Sequence, residues 1–158
     1  MIAMNKIIYT LGYGGRTIEE FLSIIHSFFI TTVIDVRRFP RSKIPYFSKV
    51  YLEKILMHNG IQYYWLGDFL GGYRGSYRNY MTSKEYELGI AILEKILQYT
   101  LYSSGNAVIM CLEKNPKGCH RKFIAETLEN KGYSVIYIIE KDKVMKHREL
   151  IESAGGGI

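Results

Sequence analysis

Only two cysteines, Cys111 and Cys119, occur among the 158 residues, too few for the disulfide framework of a small secreted scaffold. Also missing is any run of about 20 apolar residues that would span a bilayer, and the start from Met1 to Ile8 lacks the charged-then-apolar layout of a signal peptide. No membrane partner is expected, and a cytoplasmic location is, where both thiols stay reduced. Neither an internal repeat nor a linker divides the chain. With 47% hydrophobic residues it can bury one full-sized core, so a single domain over residues 1–158 is expected, with no separate substrate domain.

Charge is present in excess, and it is localised. The net charge is +6, yet segments 12–16, 35–49, 67–81 and 111–122 alone carry +1, +4, +1 and +3, which leaves the remainder acidic. Those four segments are loops between periodic elements. Ile7 to Leu11, Thr32 to Val36, Ile61 to Leu66, Ala107 to Cys111 and Val135 to Ile139 read as strands. Helices are expected between them. Thr17 with Glu20 opens the first as a capping box, Ser48 the second, Ser83 the third, and Cys119 to Lys131 forms the fourth. Asp142 to Ser153 reads as a terminal helix ahead of a frayed Gly155-Gly156-Gly157 tail.

Alternation of strand and helix implies a largely parallel sheet, because parallel neighbours need a crossover helix. The expected fold is therefore a doubly wound α/β layer: five strands with helices on both faces, a Rossmann-like three-layer arrangement. Ligands of such sheets sit beyond the carboxyl ends of the strands, and all four basic loops follow strands one to four. One electropositive face should result.

Three of the loops admit a functional and a structural reading. Gly12-Tyr13-Gly14-Gly15-Arg16-Thr17 resembles half of a dinucleotide fingerprint, with Asp35 where a ribose-binding acid would stand, but the third glycine is missing. No cofactor is expected, although Gly12 and Tyr13 remain candidates for contact with an anion. Asp35, Arg37 and Arg41 form either an anion site or an Asp-Arg pair that pins the loop. The long loop 67–81 interleaves Tyr73-Arg74, Tyr77-Arg78 and Tyr80 with four glycines, as a lid or a base-stacking surface would, or as a tyrosine-rich surface loop does.

The fourth loop concentrates the chemistry. Cys111, Glu113, Cys119, His120 and Arg121 fall within eleven residues at a strand-to-helix turn, where backbone N–H groups are free to bind an anion. In one reading Cys111, near a helix N-terminus and Arg121, ionises readily and acts as a nucleophile, although Arg121 follows it at a spacing unlike that of phosphatase and rhodanese loops. In another, Cys111, Cys119 and His120 hold zinc, but they are too few and adjacent Cys-His seldom share an ion, so no metal is expected. In a third, Glu113 or His120 is a general acid or base, Arg121 and the helix opening at Cys119 hold an anion, and Cys111 is an apolar filler. The alternative without function is a capped helix with an internal Arg121–Glu113 bridge.

These residues also carry a resemblance. Thr10-Leu11-Gly12-Tyr13, Asp35-Val36-Arg37 with Pro40 and Ser42, Gly60-Ile61-Tyr63-Leu66 leading to Gly71-Gly72, Tyr80-Met81, and Cys111-Leu112-Glu113 with Cys119-His120-Arg121 closely resemble the domain of unknown function 488 family. Many members have His where this chain has Tyr13 and Ser where it has Gly14, so a role for that histidine does not transfer. The resemblance implies a compact α/β domain with a shared polar site, and no substrate. The expectation is thus an enzyme acting on a phosphorylated or nucleotide-like anion, a hydrolase or transferase. The alternative is a non-catalytic nucleic-acid-binding module using the same basic face.

Overall fold

The structure, a computed structural model, describes residues 6–72 and 75–155. A single mixed sheet holds β1 (Ile7–Gly12), β2 (Ile30–Asp35), β3 (Gln62–Trp65), β4 (Asn106–Cys111), β5 (Ser134–Glu140) and β6 (Lys143–Lys146). Their spatial order is β3-β2-β4-β1-β5-β6. Strands β1 to β5 run parallel, whereas β6 returns antiparallel along β5. Runs such as Val33-Ile34 and Val108-Ile109-Met110 suit the central positions, since parallel strands are covered on both faces.

Helices cover the two faces. On one face α1 (Ile18–Ser27) buries Phe21, Ile24 and Ile25, and α2 (Lys49–His58) buries Leu52 and Leu56. On the other lie α3 (Gly67–Leu70), α4 (Tyr77–Tyr80), α5 (Lys84–Tyr102), α6 (Arg121–Asn130) and α7 (His147–Gly155), among which Leu93, Leu97, Ile124 and Leu128 enter the core. Each such side chain contributes roughly 1.5–3 kcal/mol by leaving water. The cap assignments hold at two of three serine or threonine starts. Thr17 Oγ1 accepts from Glu20 N at 3.0 Å and Ser83 Oγ from Tyr86 N at 3.1 Å. Ser48 makes no cap bond and its hydroxyl instead accepts from Ser42 N at 3.2 Å.

Three expectations change. The sheet has six strands, because 143–146 pair with β5, Tyr137 opposite Met145 and Ile138 opposite Val144, through a two-residue turn at Lys141-Asp142. The terminal helix therefore begins at His147 and runs to Gly155, while Gly156 and Gly157 lie outside the described residues. The long loop contains α3 and α4, with Tyr73 and Arg74 outside the described residues. Tyr77 and Tyr80 point inward there. Their hydroxyls donate to the carbonyls of Leu70 (2.8 Å) and Phe69 (2.7 Å), and Arg78 pairs with Glu126 at 2.8 Å, so these side chains pack a wall and are not displayed for base stacking.

Strand order also explains the glycines after β1. Adjacent strands β1 and β4 lead to helices on opposite faces, and the loops beyond them pass in direct contact. A Cβ on Gly12 would lie 1.9 Å from the Glu113 carbonyl oxygen, and one on Gly14 2.7 Å from that of Leu112. Only glycine fits that crossing.

Candidate functional site

Residues from the loops after β1, β2, β3 and β4 surround one cavity of about 510 Å³ at the carboxyl edge of the sheet. Tyr13 comes from the first loop, Arg37, Arg38, Phe39 and Arg41 from the second, and Gly72 from the third. The fourth gives Cys111, Leu112, Glu113, Gly118, Cys119 and His120. The four loops converge as expected, in the crevice where parallel α/β sheets place ligands, but the arginines that line the cavity, Arg37, Arg38 and Arg41, all come from the second.

Arg121 organises the floor of this cavity without lining it. It is 1% exposed, and its Nε donates to Cys119 Sγ at 3.3 Å, Nη1 to Thr10 Oγ1 at 2.8 Å, and Nη2 to the Glu113 carbonyl at 2.6 Å. No carboxylate pairs with this guanidinium among the described residues. A buried cation left without a counter-charge is costly, and the groups facing it that can become an anion are the Cys111 and Cys119 thiols, of which Cys119 takes its Nε. Burial works against the Arg121 charge, but the sulfurs of Cys111 and Cys119 more than offset it and hold the guanidinium above its ordinary value.

His120 adds a second interaction on the same sulfur. Its Nε2 sits 3.2 Å from the Val36 carbonyl, which only accepts, so Nε2 carries the hydrogen and Nδ1 turns to Cys119 Sγ at 3.9 Å. The ring leans on Tyr77, with centroids 5.3 Å apart. Cys119 itself is extended and directly precedes His120, the N-cap of α6, where the helix dipole favours negative charge. The Cys111 thiol lies within hydrogen-bonding reach of Cys119. That hydrogen bond, with His120 and the Arg121 charge, holds the Cys119 thiol far below its usual range even against burial. Burial and the bond to Cys119 push Cys111 the other way. The easily ionised thiol is thus Cys119, which takes the Cys111 hydrogen bond, the His120 ring and Nε of Arg121, and not Cys111, the nucleophile of the first reading of this turn.

Several candidate anion ligands have their polar groups committed elsewhere. Asp35 is fully buried and takes Arg37 Nε at 2.9 Å, Arg37 Nη2 at 2.7 Å, Arg37 N at 3.0 Å and Tyr63 Oη at 2.5 Å. Arg37 Nη1 goes to the Phe47 carbonyl at 2.6 Å. This is the pinning pair. Burial opposes the Arg37 charge, and Asp35 more than restores it, so the guanidinium titrates above its ordinary range. The turn after β1 is also occupied: Tyr13 N and Gly14 N donate to the carbonyls of Cys111 (3.0 Å) and Leu112 (2.8 Å), and Arg16 ties Gly12, Ile139 and Glu140 together. Gly12 and Asp35 do not line the cavity. Tyr13 does, its ring stacked on Phe47 at 4.4 Å. Arg41 is exposed on the rim and makes no side-chain hydrogen bond or ion pair among the described residues.

The sequence reading missed Thr10, the Val36 carbonyl and Phe39. Thr10 had a legible signal, as a hydroxyl inside an apolar strand must find a partner. Phe39, 62% exposed at the cavity mouth under the Arg38 guanidinium, was visible only as one aromatic in a basic run. No group of three or more His, Cys, Asp or Glu in metal-binding geometry is found among the described residues.

Fold and site together define a single-sheet α/β protein with a thiol–guanidinium–imidazole cluster at the base of a basic cavity. The chain belongs to the family described as Domain of unknown function DUF488, whose model matches residues 17–128. Asp35, Arg37, Cys111, Glu113, Cys119, His120 and Arg121 fall inside that match, while Thr10, Gly12 and Tyr13 precede it. No curated protein and no solved structure matches the chain significantly. Among the described residues no helix is long and apolar enough to cross a membrane.

Proposed function

We propose that the protein is a cytoplasmic hydrolase or transferase that acts on a phosphorylated or nucleotide-like anion, with Cys119 as its nucleophile. Cys119 Sγ attacks the electrophilic centre of a substrate seated in the cavity. His120, protonated through Nδ1 when the thiol ionises and held through Nε2 on Val36, delivers that proton to the departing group. Glu113, which lines the same cavity, activates the water or acceptor that releases the adduct. Arg41 on the rim meets the anionic end of the substrate, and Phe39 offers a ring face for a base. The carrying observation is the buried Arg121 guanidinium, which has a cysteine sulfur on Nε and no carboxylate partner among the described residues.

A panel of nucleotides and phosphorylated metabolites, followed by turnover and by intact-protein mass, tests this reading. Cys119→Ser should lower turnover by about a thousandfold or more and abolish any covalent adduct. Turnover equal to wild type in Cys119→Ser would remove the nucleophile. A second reading, a nucleic-acid-binding module, is favoured by the exposed Phe39, Tyr46 and Tyr51 among Arg38, Arg41 and Lys43. It predicts polynucleotide affinity that falls steeply with salt and is indifferent to Cys119→Ser.

A further inference from the structure

Cys119 alone reacts in the proposed turnover, and Cys111 forms no bond to substrate. Cys111 closes β4 and Cys119 precedes α6, eight positions on, yet both border the same cavity and their sulfurs lie within hydrogen-bonding reach of one another. Both are free thiols. Cys111 is 2% exposed and Cys119 3%, so the cavity is the route by which a small reagent meets them. Two thiols bordering one cavity, with a guanidinium and an imidazole on one of them, form the arrangement in which an oxidised thiol is captured by its neighbour.

We propose that Cys111 and Cys119 form an oxidant-modification site, at which a hydroperoxide oxidises Cys119 and Cys111 closes a disulfide onto it. The inference rests on the reactive Cys119 of the preceding section and not on its substrate. In the first step the Cys119 thiolate attacks the terminal oxygen of the hydroperoxide. An S–O bond forms, the O–O bond breaks, and the departing alkoxide or hydroxide takes the imidazolium proton of His120 to leave as alcohol or water. In the second the Cys111 sulfur attacks the sulfenic sulfur; the S–S bond forms, the S–O bond breaks, and the hydroxyl leaves with the Cys111 proton as water. Two thiols and one hydroperoxide become one disulfide, one alcohol or water and one water, and sulfur supplies the two electrons.

Arg121 gives this disulfide a particular character. Oxidation removes the anion that the buried guanidinium faces, while Thr10 and the Glu113 carbonyl remain as its neutral partners. The oxidised state is thereby disfavoured, and a strained or electrostatically disfavoured disulfide is the kind that reductants reopen readily. The modification is a reversible block on the nucleophile. Without Cys111 the sulfenic acid would stay open to further, irreversible oxidation.

The full-length protein is treated with a few equivalents of hydrogen peroxide, then alkylated and digested for peptide mass spectrometry, with and without later dithiothreitol. The expected product is a peptide pair joined through Cys111 and Cys119, two hydrogens lighter than the sum of its thiols and restored by dithiothreitol. In Cys111→Ser the expected product is instead a dimedone adduct on Cys119. Should that variant not fold, the joined peptide in wild type still decides the matter. Cys119 advancing to sulfinic acid while Cys111 remains alkylatable would overturn the proposal, as would survival of both thiols under peroxide that consumes free glutathione. A protein that turns over substrate through Cys119 but forms no disulfide loses this inference and keeps its enzyme reading. Disulfide formation without any turnover does the reverse.

Discussion

The Cys111 hydrogen bond, the His120 imidazole and the Arg121 guanidinium together make Cys119 the thiol that ionises. Nε of Arg121 meets Cys119 at 3.3 Å because residue 119 is extended, with φ −121° and ψ 143°, so that its side chain turns back under the helix start. Arg121→Ala should cost about 3–5 kcal/mol in urea denaturation, since it strands a buried thiolate together with the Thr10 hydroxyl and the Glu113 carbonyl. Arg121→Lys keeps a charge but not the fork, and should leave a folded protein in which Cys119 is alkylated more slowly at neutral pH. Asp35→Ala should also cost about 3–5 kcal/mol, because it leaves the Arg37 charge buried and unpaired. A loss below about 1 kcal/mol would show that Arg37 had been free for a ligand. Cys-x-Glu and Cys-His-Arg pointed to the turn that borders the cavity. Which sulfur takes Nε of the guanidinium was hidden, because it depends on backbone torsions at one residue and on Thr10, more than a hundred positions away.

Among the elements, the crossing of the loops after β1 and β4 and the hairpin of β5 with β6 carry the clearest consequences. Gly12→Ala should destabilise by about 1–3 kcal/mol, since the backbone carbonyl of Glu113 occupies the space a Cβ needs and a carbonyl that also binds Arg121 cannot simply move aside. His147 at the start of α7 bonds Tyr137 Oη through Nδ1 at 2.8 Å, and its buried Nε2 has no partner among the described residues. Burial lowers its pKa, with Glu129 and Glu126 working weakly the other way. Above about pH 6.5 both folded and unfolded chains hold it neutral. As pH falls from there towards the depressed folded value, the unfolded chain takes the proton first, so stability is lost in that window. Cys119 contributes with the same sign, being ionised when folded and protonated when unfolded. Urea midpoints between pH 7 and 5 should therefore fall, and His147→Gln should flatten the decline; an unaltered slope would acquit the histidine. Five strands, four of the helices and the carboxyl-edge site were legible from apolar periodicity and caps. β6 was not, because four residues beside a helical pattern carry too little periodicity to separate a returning strand from a first helical turn.

At the scale of the whole molecule, the fold brings four loops to one cavity but commits much of their charge to structure. Arg16, Arg37 and Arg121 are buried ties, whereas Arg41 stays on the rim. A single small anion contacting few cations gives a shallow dependence of affinity on salt, and a polynucleotide a steep one, so titration with a mononucleotide and with a single-stranded oligonucleotide at two salt concentrations separates the two readings. The central claim is that the cavity floor holds a thiolate at Cys119. Its most direct test is the pH profile of iodoacetamide alkylation, read site by site in peptide mass spectra. Cys119 should react first, at a rate already on its plateau between pH 6 and 8, while Cys111 lags throughout. A Cys119 rate still climbing through about pH 8.5, as for an ordinary thiol, or Cys111 reacting first, would contradict it.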